Sequence, residues 1–88
     1  MNLNMVLENW ENDMADNGNK RYWLLNVPGV GGYSILVHCE ADNENKALEI
    51  AAMNHVFIDD SDIFFATCAE ATEKDIEFYN KFKAIIEL

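Results

Sequence analysis

Basic residues are scarce in this chain. Six lysines and arginines stand against 16 aspartates and glutamates in 88 residues, a formal net charge of −10. That surplus disfavours direct binding to nucleic-acid phosphates or to anionic lipid. No run of about 18 apolar residues occurs, so no membrane span is expected. The start, Met1 to Glu8, has neither a basic segment nor a long apolar one, so no secretory signal is expected and the predicted location is the cytoplasm. Two cysteines, Cys39 and Cys68, are too few for a disulfide framework. Both sit in strand-like apolar runs and read as reduced core residues. Repeats, low-complexity tracts and linkers are also lacking.

What is present is enough apolar surface to fold. Half the residues are hydrophobic and 11% are aromatic, too many for a chain kept disordered by its charge. The length predicts a single domain over 1–88. A chain of this size buries only roughly 60–65% of its unfolded surface, so the core must be compact.

Periodicity predicts the elements. Leu3, Val6, Leu7, Trp10 and Met14 make one stripe of a helix over 3–16, ended by Asn17-Gly18. Residues 20–27 and 33–40 read as two strands, joined through Pro28-Gly29-Val30-Gly31-Gly32 as a hairpin. Asp42 is the expected cap of a helix over about 43–54, with Ala47, Leu48, Ala51 and Ala52 or Met53 facing inward. Asp59-Asp60-Ser61 is turn chemistry, and 62–68 reads as a third strand. Thr72 and Asp75 form a capping-box pattern opening a last helix over 73–86, striped by Phe78, Tyr79, Phe82, Ile85 and Ile86. The expected fold is α+β, in the order α-β-β-α-β-α. Its three-stranded, mostly antiparallel sheet has strand order 2-1-3, with helices packed on it. Both faces of the first two strands carry apolar residues. Either the helix over 3–16 covers the open face, or that face is an interface.

Catalytic and metal chemistry find little support. His38 and Cys39 are adjacent in a strand and point to opposite faces, and no CxxC or HxxxH pair exists, so no metal is expected. Asp59, Ser61 and Glu70 have part of a calcium-loop spacing. Ile63 and Phe64 occupy the fifth and sixth positions, where an oxygen ligand and a glycine are needed. The thiols lack a positive environment and a framed nucleophile turn. Residues 28–32 lack the lysine and following helix of a phosphate loop. No enzyme and no cofactor are expected.

The acidic residues are the remaining signal. Asp42, Glu44, Glu73 and Asp75 fall at predicted helix starts, where negative charge is favourable. Glu77 is placed to pair with Lys81. Two groups have no such role. Glu8, Glu11, Asp13 and Asp16 lie in a stretch, 1–19, with no basic residue, and Asp59, Asp60 and Asp62 crowd one turn. Carboxylates without an internal partner are candidates for a basic external one, with Trp10 as an apolar anchor.

The uncompensated carboxylates and the β-α-β run from Tyr33 to Cys68 give the chain a resemblance of type to small acidic phage-encoded inhibitors of bacterial defence, the anti-CRISPR and anti-restriction proteins. The resemblance implies a stoichiometric inhibitor that occupies a basic nucleic-acid groove on a host protein, a CRISPR effector or restriction component, by charge mimicry. The alternative is a docking or homodimerising module that uses an apolar sheet face, with the charge serving solubility.

Overall fold

The chain from residue 20 onward begins with a hairpin. Residues 20–88 are described in the computed structural model. The helix predicted over 3–16, and any cover it gives the sheet, lies outside the described residues. Arg21–Val27 (β1) and Tyr33–Cys39 (β2) pair antiparallel, Arg21 opposite Cys39 and Val27 opposite Tyr33. The link between them turns on Gly29 and Gly31, whose φ angles of 100° and 79° are left-handed and suit glycine. Trp23, Leu25 and Val27 of β1 and Val37 and Cys39 of β2 are buried on one face.

Glu44–Met53 (α1) packs on that face through Ala47 and Ala51, whose small side chains allow close approach to the strands. Its cap is Asn43, not the expected Asp42. The Asn43 side chain accepts from the Lys46 N–H at 2.8 Å, while Asp42 accepts from the Asn43 amide at 3.2 Å. Of the two alternatives expected inside, Ala52 packs against the core and Met53 is exposed.

The third strand is later than predicted. Residues 60–64 (Asp60–Phe64) form a 3₁₀ helix, and the strand Thr67–Glu70 (β3) follows. The cause is local. Asp59 caps the turn and Asp62 returns a bond to the Asp59 backbone, which fixes a helical turn against the strand preference of Ile63-Phe64-Phe65.

The last helix is shorter than predicted. Glu73–Lys81 (α2) starts on a full capping box, Thr72 with Asp75. It ends in a Schellman motif: the Lys83 N–H bonds Asn80 O at 3.0 Å and the Ala84 N–H bonds Tyr79 O at 2.9 Å. Lys83 sits at φ 54° to close it. The chain then extends as Ile85–Glu87 (β4), parallel to β2, with Leu36 opposite Ile85 and His38 opposite Glu87.

The described domain is therefore α+β, with two helices and a four-stranded mixed sheet in the order β3-β1-β2-β4. The expected sheet had three strands in the order 2-1-3; those neighbours are kept, and β4, which the periodicity had placed inside the last helix, adds a fourth strand at the β2 edge. β3 is antiparallel to β1, so β2, β3 and β4 all run the same way. The crossover from β2 to β3 and the one from β3 to β4 travel in opposite directions across the sheet. Right-handed crossovers of opposite direction place their helices on opposite faces. The larger apolar cluster lies under α1. Leu36 points to the other face and is fully buried, where α2 packs on β2 and β4.

The end of α2 gives a test. Lys83→Gly relieves a left-handed side chain and should raise stability by about 0.5–1 kcal/mol. Lys81→Gly, inside the helix, should lower it by a similar amount. Urea midpoints read both.

Candidate protein-binding surface

Of the acidic residues singled out from the sequence, Glu8, Glu11, Asp13 and Asp16, and with them Trp10, lie outside the described residues. The other three are brought together in the 3₁₀ turn, and the structure separates their roles. Asp59 accepts from the Ser61 N–H at 2.9 Å and its hydroxyl at 2.8 Å, and these bonds hold its carboxyl below the usual range. Asp62 Oδ2 accepts from the Tyr33 hydroxyl at 2.5 Å and from the Asp59 N–H at 3.3 Å. Tyr33 in turn accepts from the Ile58 N–H at 2.9 Å. Desolvation and the bond to Asp62 push its phenol upward. One tyrosine at the start of β2 thus pins the turn from both ends. The expectation that all three aspartates lack internal partners is corrected for Asp59 and Asp62. Among the described residues, Asp60 is free of such bonding apart from His55, whose Nδ1 lies 3.5 Å away.

Around Asp59 and Asp60 stand apolar side chains that no described element covers. Ile58 is 82% exposed, Phe64 82% and Phe65 65%. Reading 62–68 as a strand hid Phe64 and Phe65. The signal was there: three apolar residues directly after a capped Asp-Asp-Ser-Asp cannot all face inward from one helical turn.

A second exposed apolar surface lies on α2. Phe78 is 58% exposed and Phe82, at the helix end, 64%, with ring centroids 5.1 Å apart. Lys74, Glu77 and Lys81 line a shallow groove with Phe78. Elsewhere the cations pair: Lys20 with Glu87 at 3.7 Å, Arg21 with Glu70 at 3.9 Å, Lys46 with Glu49 at 3.6 Å. Among the described residues Lys74, Lys81 and Lys83 have no carboxylate within 4.0 Å, and the expected Glu77–Lys81 pair is not formed. None of the large exposed apolar residues among those described lies on a strand.

The histidines and cysteines have structural surroundings. His38 stacks on Tyr22 with centroids 4.1 Å apart, and its Nδ1 lies 2.8 and 3.0 Å from the two Glu87 carboxylate oxygens, linking β2 to β4. Among the described residues no three His, Cys, Asp or Glu side chains converge to hold a metal ion. Both thiols are free. Burial pushes Cys39 up, and burial with the nearby Glu44 and Cys39 pushes Cys68 to about 11. At neutral pH both remain protonated, which makes them poor nucleophiles.

Comparison with protein families, with characterised proteins and with solved structures finds no match to this chain.

Two measurements check these roles. Asp62→Ala should cost about 1 kcal/mol or more through loss of the turn bonds, whereas Asp60→Asn should change stability by no more than about 0.5 kcal/mol. Folding raises the Cys68 thiol from its usual 9.0. Its contribution is therefore constant below that pH and becomes destabilising as pH climbs through about 11. Cys68→Ala should flatten this alkaline fall in melting temperature, and both native thiols should react with a thiol reagent far more slowly than in denaturant.

Proposed function

We propose that this domain is a non-catalytic binding protein that docks on a cationic surface of a partner protein through the turn at 58–65. The observation that carries the reading is the pairing of uncovered Ile58, Phe64 and Phe65 with the Asp59 and Asp60 carboxylates on one rigid turn. Aromatic side chains supply most of the contact energy of such anchors when they fill a pocket. Carboxylates around them select a basic rim, where an arginine can grip a carboxylate through two hydrogen bonds. The net charge of −10 adds long-range attraction that speeds encounter with a basic partner.

The surfaces richest in lysine and arginine are those that hold nucleic acid. A carboxylate-rich domain seated there excludes the nucleic acid, so the proposed consequence is stoichiometric inhibition of a nucleic-acid-handling protein. Given the resemblance to acidic inhibitors of bacterial defence, a CRISPR effector or a restriction component is the first partner to try. Because Asp59 and Asp62 are held by the turn itself, Asp60 is the carboxylate freest to meet a cation, and Asp59 contributes charge more than contact.

Titration calorimetry against such a partner tests the reading. Phe64→Ser with Phe65→Ser should weaken binding about tenfold or more while leaving the melting temperature near that of the parent. Asp60→Lys should slow association and reduce its dependence on salt. An affinity unchanged by both variants and by salt would sink the proposal.

A further inference from the structure

We propose that the outer edge of β3 takes an extended, basic segment of the partner protein as a further strand of the sheet. Among the described residues β3 is an end strand, paired with β1 on one side only. The Ala71 N–H bonds Tyr22 O at 2.9 Å, which fixes the alternation along this antiparallel pair. Residues 67, 69 and 71 turn their backbone groups toward β1, so the N–H and C=O groups of Cys68 and Glu70 point outward. Among the described residues no loop or helix-cap backbone bonds them. Sheets commonly block such an edge with lysine, proline or a bulge. Thr67-Cys68-Ala69-Glu70 has no lysine or proline, and its register with β1 is unbroken.

The surroundings select the occupant. Cys68 and Glu70 lie on the α1 side of the sheet, opposite Leu25 and Trp23. Glu44, in the first turn of α1, is near Cys68. Asp59 and Asp60 stand on the turn that leads into β3. Against these four carboxylates stand Arg21, 3.9 Å from Glu70, and His55, 3.5 Å from Asp60, so the balance is acidic. An antiparallel strand laid on this edge sends the residues opposite Cys68 and Glu70 to the α1 side, and those between them to the other side, beside the exposed Thr67 and Ala69. Lysine or arginine fits the first set, as a cross-strand partner of Glu70. Small or β-branched residues fit the second. A second copy of β3 is the poorer occupant, because it would set Glu70 and Glu44 of both copies on one side of the shared pair. Only Phe65 and Ala66 separate the 3₁₀ helix from β3, so a partner seated on Phe64 and Phe65 is already at the edge. Assigning the added strand to that partner rests on the binding reading above; the open edge does not.

The test uses a peptide that alternates lysine with threonine, read by amide hydrogen exchange. In the protein alone the Ala69 and Ala71 amides should be protected, and those of Cys68 and Glu70 should exchange freely. With the peptide at millimolar concentration, protection at Cys68 and Glu70 should rise at least about threefold. The same peptide N-methylated at its lysines loses the N–H groups that face β3 and should give no rise, whereas methylation at its threonines should leave the rise intact. Glu70→Pro removes one outward donor without touching the β1 ladder and should weaken the peptide at least about tenfold, while Glu70→Ala, which keeps that donor, should cost about threefold. Unchanged exchange at Cys68 and Glu70, or equal loss with both methylated peptides, overturns the proposal. So does concentration-dependent self-association of the parent in sedimentation velocity that Glu70→Pro abolishes, because the occupant would then be a second copy. A basic partner protein separates the two readings. Binding that is weakened by Phe64→Ser with Phe65→Ser but indifferent to Glu70→Pro keeps the turn reading and removes the added strand. Peptide protection at the edge, with partner affinity indifferent to the aromatic pair, removes the turn reading and keeps the edge site.

Discussion

The antiparallel pairing of β1 with β2 is the contact on which every other described element is laid. Trp23, Leu25 and Val37 bury the hairpin's inner face, while Leu36 is buried on its other face. Its two outer edges receive β3 on one side and β4 on the other. Both crossovers are therefore measured from this pair. A slip of one residue would turn over one strand relative to the other and move Leu25 or Val37 away from α1. The left-handed Gly29 and Gly31 help prevent such a slip by fixing where β2 begins. Tyr33, at that starting point, then reaches Asp62 and the Ile58 N–H. The register of the hairpin thus sets the position of the turn that carries the exposed aromatics.

The hairpin, α1 and the start of α2 were legible in the sequence because their signals are local: strand-rich aromatics, a glycine link and side chains that cap helices. What was not legible depended on signals that compete. Ile63, Phe64 and Phe65 favour a strand by composition, but the reciprocal Asp59 and Asp62 bonds hold a helical turn there. Phe78, Phe82, Ile85 and Ile86 keep helical spacing through residue 86, yet Lys83 adopts the left-handed closing position usually given to glycine. The helix stops, and Ile85 and Ile86 gain strand pairing with β2. The aspartates at 59–62 were conspicuous from the sequence for a partly different reason. Two of them are spent on the turn, and the surface they frame is apolar as much as acidic.

Charge in the described part of this protein is arranged rather than diffuse. Glu49, Glu70 and Glu87 meet lysine or arginine at home, and Asp75 closes a capping box. The lysines on and after α2 are left without such partners, on the face opposite α1. Solubility alone asks for charge of one sign in excess, with no preference for where the minority sign gathers.

An exposed aromatic pair on a small domain is an aggregation hazard when nothing limits its contacts. Here Asp59 and Asp60 stand beside Ile58, Phe64 and Phe65 on one turn. Two such turns brought face to face set carboxylate against carboxylate. The acid that favours a cationic surface therefore also disfavours pairing of the turn with itself, so the same side chains that would select a partner limit the hazard of leaving the rings uncovered.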